Sequence, residues 1–262
     1  GIKATAAAWS PDGELPSPPP GSRVLSIQSH VVRGHVGNKS AVFPLQLLGL
    51  EVDAINSVQF SNHTGYPAGF RGDVMSGDQL WDIIEGLEAN GLITYTHLLT
   101  GYIGSQSMLQ TVLKVVETLR KHNPDLVYVC DPVLGDAGKL YVPSELVPIY
   151  QNQVLRSSKV LTPNQFEVEQ LTGMKINSES DALAACLHLH DMGPESILIT
   201  SMDVKSNSNS HLTLIGSTRQ PQAEGAPCKF RITVPRLPAY FTGTGDLLAA
   251  LLLGWSTVYP DD

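Results

Sequence analysis

The sequence has few cysteines, a deficit of positive charge and no long hydrophobic run. Its three cysteines, Cys130, Cys186 and Cys228, are far apart and form no C-x-x-C pair. We therefore expect buried free thiols rather than a zinc site or a disulfide framework. Lysine and arginine number 17 against 25 aspartates and glutamates, a net charge of −8, which argues against nucleic acid as a partner. No apolar run reaches the roughly 18 residues that cross a bilayer, so no membrane partner is expected.

The pattern along the chain predicts one α/β domain behind a disordered tail. The chain has 262 residues, of which 42% are hydrophobic, enough to bury a full core. Residues 1–22 are rich in proline near their end, which is typical of extended, disordered chain. In residues 23–262, short apolar runs alternate with helical patterns, which favours helices packed on a mainly parallel sheet. Residues 211–216 are expected to form an edge strand.

The segment Gly243-Thr244-Gly245-Asp246 carries the strongest chemical signal. Glycines let backbone N–H groups approach an anion closely, and the apolar run at residues 247–253 predicts a helix whose N-terminus attracts phosphate. Asp246 would repel a phosphate, but it could take a proton from a hydroxyl that attacks phosphorus. The alternative is that Asp246 is the N-cap of a buried helix.

A first buried strand is predicted at residues 24–27, followed by a polar, glycine-bearing loop at residues 28–38. Loops at the carboxyl end of a first strand bind ligands in open α/β sheets. Ser29 is therefore a candidate substrate contact, with a simple turn residue as the alternative.

Three more side chains are candidates for the same pocket. Phe60 and Thr64 belong to a segment dense in small hydrogen-bonding side chains, which could line a pocket for a polar heterocycle. The alternative for that segment is a turn held by Asx and Ser/Thr bonds. Tyr102 follows the strand predicted at residues 97–101, and half-buried core is its alternative.

Two carboxylates follow a central strand. The continuous apolar run at residues 126–130 is typical of a central parallel strand, and Asp131 and Asp136 come after it. Carboxylates at a strand tip suit a hard cation and its phosphates. A turn with exposed acids is the alternative.

A second polar group opens the helix after residue 163. Thr162 is expected to cap this helix, with Pro163 in its first turn. Asn164 and Glu167 are three residues apart, so they share a helix face and could both point at a metal–phosphate group. The alternative is a capping arrangement with no ligand.

Together these segments resemble the pyridoxal kinase family of the ribokinase-like superfamily. The Gly-Thr-Gly-Asp and Thr-Pro-Asn motifs mark the superfamily, and the run Ser-Val-Gln-Phe-Ser-Asn-His-Thr-Gly-Tyr at residues 57–66 points to this family in particular. The match runs from about residue 23 to the last residues. The resemblance implies a three-layer α/β/α fold and an ATP-dependent kinase acting on the 5′-hydroxymethyl group of pyridoxal, pyridoxine and pyridoxamine.

The resemblance also implies a role for each site residue. Asp246 would be the catalytic base. The implied contacts with the vitamer are Ser29, Val36, Phe60, Thr64, Tyr102 and Asp246; those with ATP are Asp131, Asp136, Asn164, Glu167, Thr200, Ser201, Leu237, Pro238, Ala239, Gly243, Thr244 and Gly245; and those with metal ions are Asp131, Asp136, Thr162 and Glu167.

The implied cofactors are ATP with Mg²⁺, with Zn²⁺ as an alternative, and a monovalent cation, K⁺ or Na⁺. The implied protein is a cytoplasmic homodimer. Two features depart from the family: a short stretch after Asp136, where a loop helps to cover ATP, and the end of the chain at Asp262, before the family's last elements. The alternatives are a kinase for hydroxymethylpyrimidine or another small molecule, and a truncated, catalytically weak isoform that only binds vitamer or a partner subunit.

Overall fold

A β-sheet with helices on both faces makes up the computed structural model, which describes residues 17–203, 210–219, 226–239 and 241–260. The strands are β1 (Arg23–Arg33), β2 (Glu51–Asn62), β3 (Gly72–Val74), β4 (His97–Thr100), β5 (Val127–Cys130), β6 (Gly135–Asp136), β7 (Lys139–Leu140), β8 (Val160–Leu161), β9 (Ser196–Met202), β10 (His211–Thr218) and β11 (Cys228–Pro235). The helices are α1 (Asn38–Leu47), α2 (Gly77–Ala89), α3 (Gln106–His122), α4 (Leu146–Ile149), α5 (Leu155–Ser157), α6 (Gln165–Thr172), α7 (Glu179–Met192) and α8 (Thr244–Val258), with a π-helical turn at Tyr150–Val154.

Within the described ranges, the main sheet has nine strands in the order β11-β10-β9-β8-β5-β4-β1-β2-β3. The pairs from β2 to β9 in this order are parallel, and antiparallel pairs occur only toward the two edges. The predicted α/β fold with a mainly parallel sheet is thus confirmed. The prediction of an edge strand at residues 211–216 is wrong, because β10 is paired on both sides and β11 forms the edge.

Two hydrophobic cores lie on opposite faces of this sheet. Leu25, Leu98 and Tyr128 pack with the buried side chains of α2, α3, α6 and α7, whereas their neighbours Val24, Leu99 and Val129 pack with those of α1 and α8. Successive side chains of a strand point to opposite faces, so each central strand contributes to both cores. The result is three layers, helix on sheet on helix. None of the described helices has the length and hydropathy needed to cross a membrane.

β1 is longer than predicted. The sequence indicates a strand at residues 24–27 and a loop after it, but β1 continues to Arg33 because it stays paired with β2 along almost its whole length. Ser29 therefore lies in a strand rather than in a loop. The pairing shifts register between Gln28 and Ser29, and such a bulge re-aims the side chains that follow it.

The N-terminal segment is described only in part. Residues 1–16 lie outside the described residues, so the disordered tail stays a prediction. Ser22 is buried, and its N–H group donates to the carbonyl oxygen of Pro19 at 3.1 Å, so a turn leads directly into β1.

The strand order creates a ligand-binding edge at the carboxyl ends of the parallel strands. β1 lies between β2 and β4, so the chain reverses its direction of travel across the sheet at β1, and open α/β sheets bind ligands beyond such a point. α8 is antiparallel to the central strands, because Thr257 near its end lies beside His97 at the start of β4. The distance between His97 Nε2 and Thr257 Oγ1 is 3.0 Å. The first turn of α8 consequently lies at the carboxyl edge.

His97 connects β4 and α8 as a neutral side chain. Its Nδ1 lies 2.7 Å from Thr96 Oγ1 and its Nε2 reaches Thr257. Burial disfavours the charged imidazolium and lowers the pKa of His97 to about 4. Unfolded His97 takes up a proton below about pH 6.5, where folded His97 does not, so this residue destabilises the fold as the pH falls toward 4.

We expect His97→Gln to remove this pH dependence. The unfolding free energy of the parent should fall relative to that of the variant between about pH 7.5 and about pH 5, by at most about 1.4 kcal/mol per pH unit. Urea unfolding of both proteins at the two pH values measures the difference. If the unfolding free energies of parent and variant differed by the same amount at both pH values, the lowered pKa of His97 would be contradicted.

Candidate active site

Asp246 lies in the first turn of α8 and faces the loop before α1. The N-cap of α8 is Gly243, in the left-handed conformation with φ 75° and ψ 10°. The alternative that Asp246 is the N-cap is therefore wrong. Asp246 Oδ2 accepts a hydrogen bond from the Gly37 backbone N–H group at 2.8 Å, between residues 209 positions apart. This bond fixes the direction of the carboxylate at the carboxyl edge of the sheet.

The glycines before Asp246 are closely surrounded. A Cβ atom on Gly243 would overlap the carbonyl oxygen of His35 and lie 2.6 Å from Ser40 Oγ, and one on Gly245 would lie 3.6 Å from Asp131 Oδ2. The first N–H groups of a helix have no acceptor within it, and the positive end of the helix dipole is added to them. The start of α8 therefore offers an anion site beside Asp131.

Three carboxyl groups influence one another at this edge. Asp131 is only 6% exposed, and burial raises its pKa well above the usual range, with the charges of Glu167 and Asp246 raising it further. Burial also raises the pKa of Asp246, and the hydrogen bond from Gly37 opposes that rise. The site thus concentrates negative charge that a cation would relieve.

Glu167 and Asn164 hold the loop that follows β5. Asn164 is the N-cap of α6, so the prediction that Thr162 caps this helix is wrong: Asn164 adopts the extended conformation that places its side-chain oxygen on the Glu167 N–H group. In return, the Asn164 N–H group donates to Glu167 Oε2 at 2.8 Å. The Leu134 N–H group donates to the other carboxylate oxygen, Oε1, also at 2.8 Å. Burial raises the pKa of Glu167 to about 7. The capping alternative therefore describes the contacts of this pair.

Asp136 has a different environment from Asp131. It is exposed, and its Oδ1 accepts a bond from the Ala137 N–H group at 2.7 Å. Ala137 and Gly138, with φ 49° and 80°, form the two-residue turn of the β6–β7 hairpin, the geometry that suits tight hairpins. The short stretch after Asp136 is thus a compact hairpin, and the alternative of an exposed turn acid fits Asp136.

The predicted metal ligands do not form a ready-made cluster. Nowhere in the described ranges do three or more His, Cys, Asp or Glu side chains meet in a metal-holding arrangement. Thr162 Oγ1, however, is buried without a hydrogen bond of normal geometry, and it is close enough to Asp131 to lower the pKa of that carboxyl. A buried carboxylate and a buried hydroxyl are hard oxygen donors, which fit Mg²⁺ better than Zn²⁺.

The structure brings three of the predicted vitamer contacts together. Val36 and Tyr102 pack against a small buried cluster that contains Phe60, and they come from three separate segments of the chain. Ser29 is adjacent, since a Cβ atom on Gly37 would lie 2.6 Å from Ser29 Oγ. Thr64 is exposed on the turn after β2, and its role stays a prediction.

The remaining predicted nucleotide contacts lie in two segments, on β9 and after β11. The Thr200 N–H group donates to the carbonyl oxygen of Pro163 at 2.9 Å, and Ser201 follows it, half-buried. Leu237 is 62% exposed, and Pro238 and Ala239 are also exposed on the segment between β11 and the glycine loop. Their contacts with a nucleotide stay predictions.

Gly37 is the site residue that the sequence did not single out. It was visible only as one glycine in a polar loop before a helix, and nothing local connects it to Asp246. Its φ of 52° and ψ of −128° and the overlap of any Cβ with Ser29 O explain why glycine stands there.

Comparisons with known proteins agree on one group of enzymes. The family model described as phosphomethylpyrimidine kinase matches residues 93–254. The chain is 61% identical over 240 residues to pyridoxal kinase of Arabidopsis thaliana, covering 92% of this chain and 76% of that protein, and 50% identical to pyridoxal kinase of Sus scrofa, covering 92% and 77%. The structure of pyridoxal kinase from Leishmania donovani in complex with ADP and pyridoxamine matches with a TM-score of 0.85 at 38% identity, covering 92% of this chain and 83% of that one.

The close surroundings of Gly243 predict a specific loss of stability. Gly243→Ala should destabilise the fold by more than about 1 kcal/mol, because alanine is strained at positive φ and its Cβ overlaps His35. Gly86→Ala is the matched control: this glycine lies inside α2 with no atom within 4 Å of an added Cβ, so the change should stabilise by about 0.5–1 kcal/mol. Denaturant unfolding measures both. Equal effects of the two substitutions would argue against the packed loop.

Proposed function

Because this chain belongs to the pyridoxal kinase family, we propose that it transfers the γ-phosphoryl group of ATP to the 5′-hydroxymethyl group of pyridoxal, pyridoxine and pyridoxamine. One observation carries the proposal: the Asp246 carboxylate, fixed by the Gly37 N–H group at 2.8 Å, stands in the first turn of a helix that opens with Gly-Thr-Gly. A base and an anion site are thereby side by side. The kinase relative from Leishmania donovani, described with ADP and pyridoxamine, supports the same pair of ligands.

Asp246 acts as the general base for the vitamer alcohol. Its Oδ2 is engaged by Gly37, so Oδ1 is the oxygen that takes up the hydroxyl proton. Burial raises the pKa of Asp246, which makes the carboxylate a better proton acceptor than an exposed one. The deprotonated oxygen then attacks the γ-phosphorus, the bond from that phosphorus to the β,γ-bridging oxygen breaks, and ADP leaves with the electron pair.

The start of α8 stabilises the transferred group. In the loose transition state of phosphoryl transfer, charge is spread over the equatorial oxygens, and fixed donors lower its energy without reorganising. The amides of Gly243, Thr244 and Gly245 supply such donors. Positioning of this kind accounts for most of the catalysis expected from the protein.

A divalent cation fits beside Asp131 and Thr162. These two residues would hold Mg²⁺, and the bound ion would neutralise charge on the ATP phosphates. Glu167 and Asn164 act on the site through the loop after β5, and Asp136 lies on the neighbouring hairpin. A monovalent cation, K⁺ or Na⁺, belongs to the same proposal.

The vitamer ring lies against the apolar cluster of Val36, Phe60 and Tyr102. Ser29 and Thr64 contact its polar groups. On the nucleotide side, Thr200 and Ser201 contact the phosphates, and the segment Leu237-Pro238-Ala239 lies near the nucleoside. Family membership further supports a homodimer and a cytoplasmic location, which light scattering and cell fractionation would test.

Asp246→Asn should reduce the rate of pyridoxal 5′-phosphate formation by roughly 10²–10⁴, the usual value of a positioned base. Asp78→Asn is the matched control, because Asp78 is also an acid in the first turn of a helix but is exposed on α2. The control should keep the parental rate. An Asp246→Asn variant as fast as the parent would remove this carboxylate from the mechanism.

The matching family model is described as phosphomethylpyrimidine kinase, and this favours a pyrimidine kinase as the second candidate, with hydroxymethylpyrimidine as the alcohol to test. We expect pyridoxal to be phosphorylated with the higher kcat/KM when both alcohols are assayed with ATP. The apolar cluster should accept either ring. The difference in kcat/KM between the two alcohols therefore measures the polar contacts that Ser29 and Thr64 make with the ring. Preference for the pyrimidine would support the second candidate, and vitamer binding without turnover would support the catalytically weak isoform.

A further inference from the structure

Asn38, the first residue of α1, is buried and bonded to both strands beneath it. Its side chain is 3% exposed. Its Oδ1 accepts a bond from Ser26 Oγ on β1 at 2.8 Å. Its Nδ2 donates to the carbonyl oxygen of Ile55 and to Asn56 Oδ1 on β2, both at 2.9 Å, with a longer contact to the Gln28 carbonyl oxygen at 3.5 Å. The polar atoms of this amide are therefore all engaged, and the start of α1 is fixed on the sheet.

Gly37, the residue immediately before Asn38, carries the backbone N–H group that donates to Asp246. Gly37 has no side chain, and α1 has no side-chain capping bond, so local capping does not set the direction of the Gly37 N–H group. Gly37 can reach the 2.8 Å contact with Asp246 Oδ2 only while the residue after it stays in place. The Ser40 and Ala41 N–H groups hold the Gly37 carbonyl oxygen at 2.9 and 3.0 Å. The Asn38 side chain ties this start of α1 to β2.

A directional chain of hydrogen bonds supports this amide from below. Gln28 Nε2 donates to Ser26 Oγ at 2.9 Å, and Ser26 Oγ in turn donates to Asn38 Oδ1. Ser26 and Gln28 are 0% and 1% exposed. Buried polar networks of this kind fix a single geometry, because any displaced member leaves an unpaired group.

We propose that Asn38 is a positioning residue for phosphoryl transfer, which holds the Gly37 N–H group against Asp246 and so aims the free carboxylate oxygen at the substrate hydroxyl. The inference rests on the proposed kinase function. The side-chain bonds of Asn38 go to β1 and β2 rather than to Asp246, so we expect its effect to fall on turnover and not on substrate binding. A misplacement of about 1 Å is enough to cost about 10²-fold in rate.

Asn38→Ala tests the proposal in the full chain with pyridoxal and ATP. We expect kcat to fall by about 10- to 100-fold, with KM for both substrates within about twofold of the parent. Ser217→Ala is the matched control, since Ser217 is also fully buried and bonded, to His190 Nε2 at 2.9 Å, but lies on β10. Its kcat should stay within about twofold of the parent. An equal loss of kcat in the control would overturn the proposal, because general destabilisation would then explain both.

A double-mutant cycle with Asp246→Asn separates positioning from a structural role. If Asn38 acts through the carboxylate, Asn38→Ala should cost less than about twofold in the Asp246→Asn background. An undiminished loss in that background would overturn the proposal. Ser26→Ala, which removes one bond to Asn38, provides a milder variant in case Asn38→Ala does not fold, and the same non-additivity is required of it. Failure of the proposed function is distinguishable, since the parent itself would then form no phosphorylated product.

Discussion

The hydrogen bond between the Gly37 N–H group and Asp246 holds together the two halves of the site. Gly37 belongs to the loop between β1 and α1, and Asp246 to the first turn of α8. The helices α1 and α8 pack on the same face of the sheet, against Val24 of β1 and Leu99 of β4. This shared face brings the glycine-rich start of α8 to the carboxyl edge, and it places the candidate base against Gly37, which in turn lies close to Ser29.

Negative charge is the main constraint on a site of this kind. The chain carries a net charge of −8, and ATP, the proposed phosphoryl donor, is a polyanion. Burial raises the pKa of Asp131 well above its usual range, and the nearby charges of Glu167 and Asp246 raise that pKa further. Backbone N–H groups offset part of this charge, since Glu167 accepts bonds from Leu134 and Asn164. Local donors and a hard cation, rather than the overall charge, therefore make the edge suitable for phosphate.

Much of the fold followed from local pattern, and the errors have identifiable physical causes. Apolar runs located β4 and β5, and the apolar run at residues 247–253 located α8. β1 was predicted too short because its second half is polar and owes its strand conformation to pairing with β2. The cap of α6 was assigned to Thr162 instead of Asn164, since two good capping residues stand close together and only backbone conformation selects between them.

The class of fold, the glycine loop with its single acid, and the carboxylates after the strands could all be predicted from local sequence. These features depend on neighbouring residues, whose spacing can be read directly. The tertiary structure decided which groups meet: that Gly37 bonds Asp246, that Asn38 ties the start of α1 to β2, and that Glu167 supports a loop. Such contacts join residues far apart in the chain, and the packing of whole helices on a sheet brings them together. No local pattern encodes that packing.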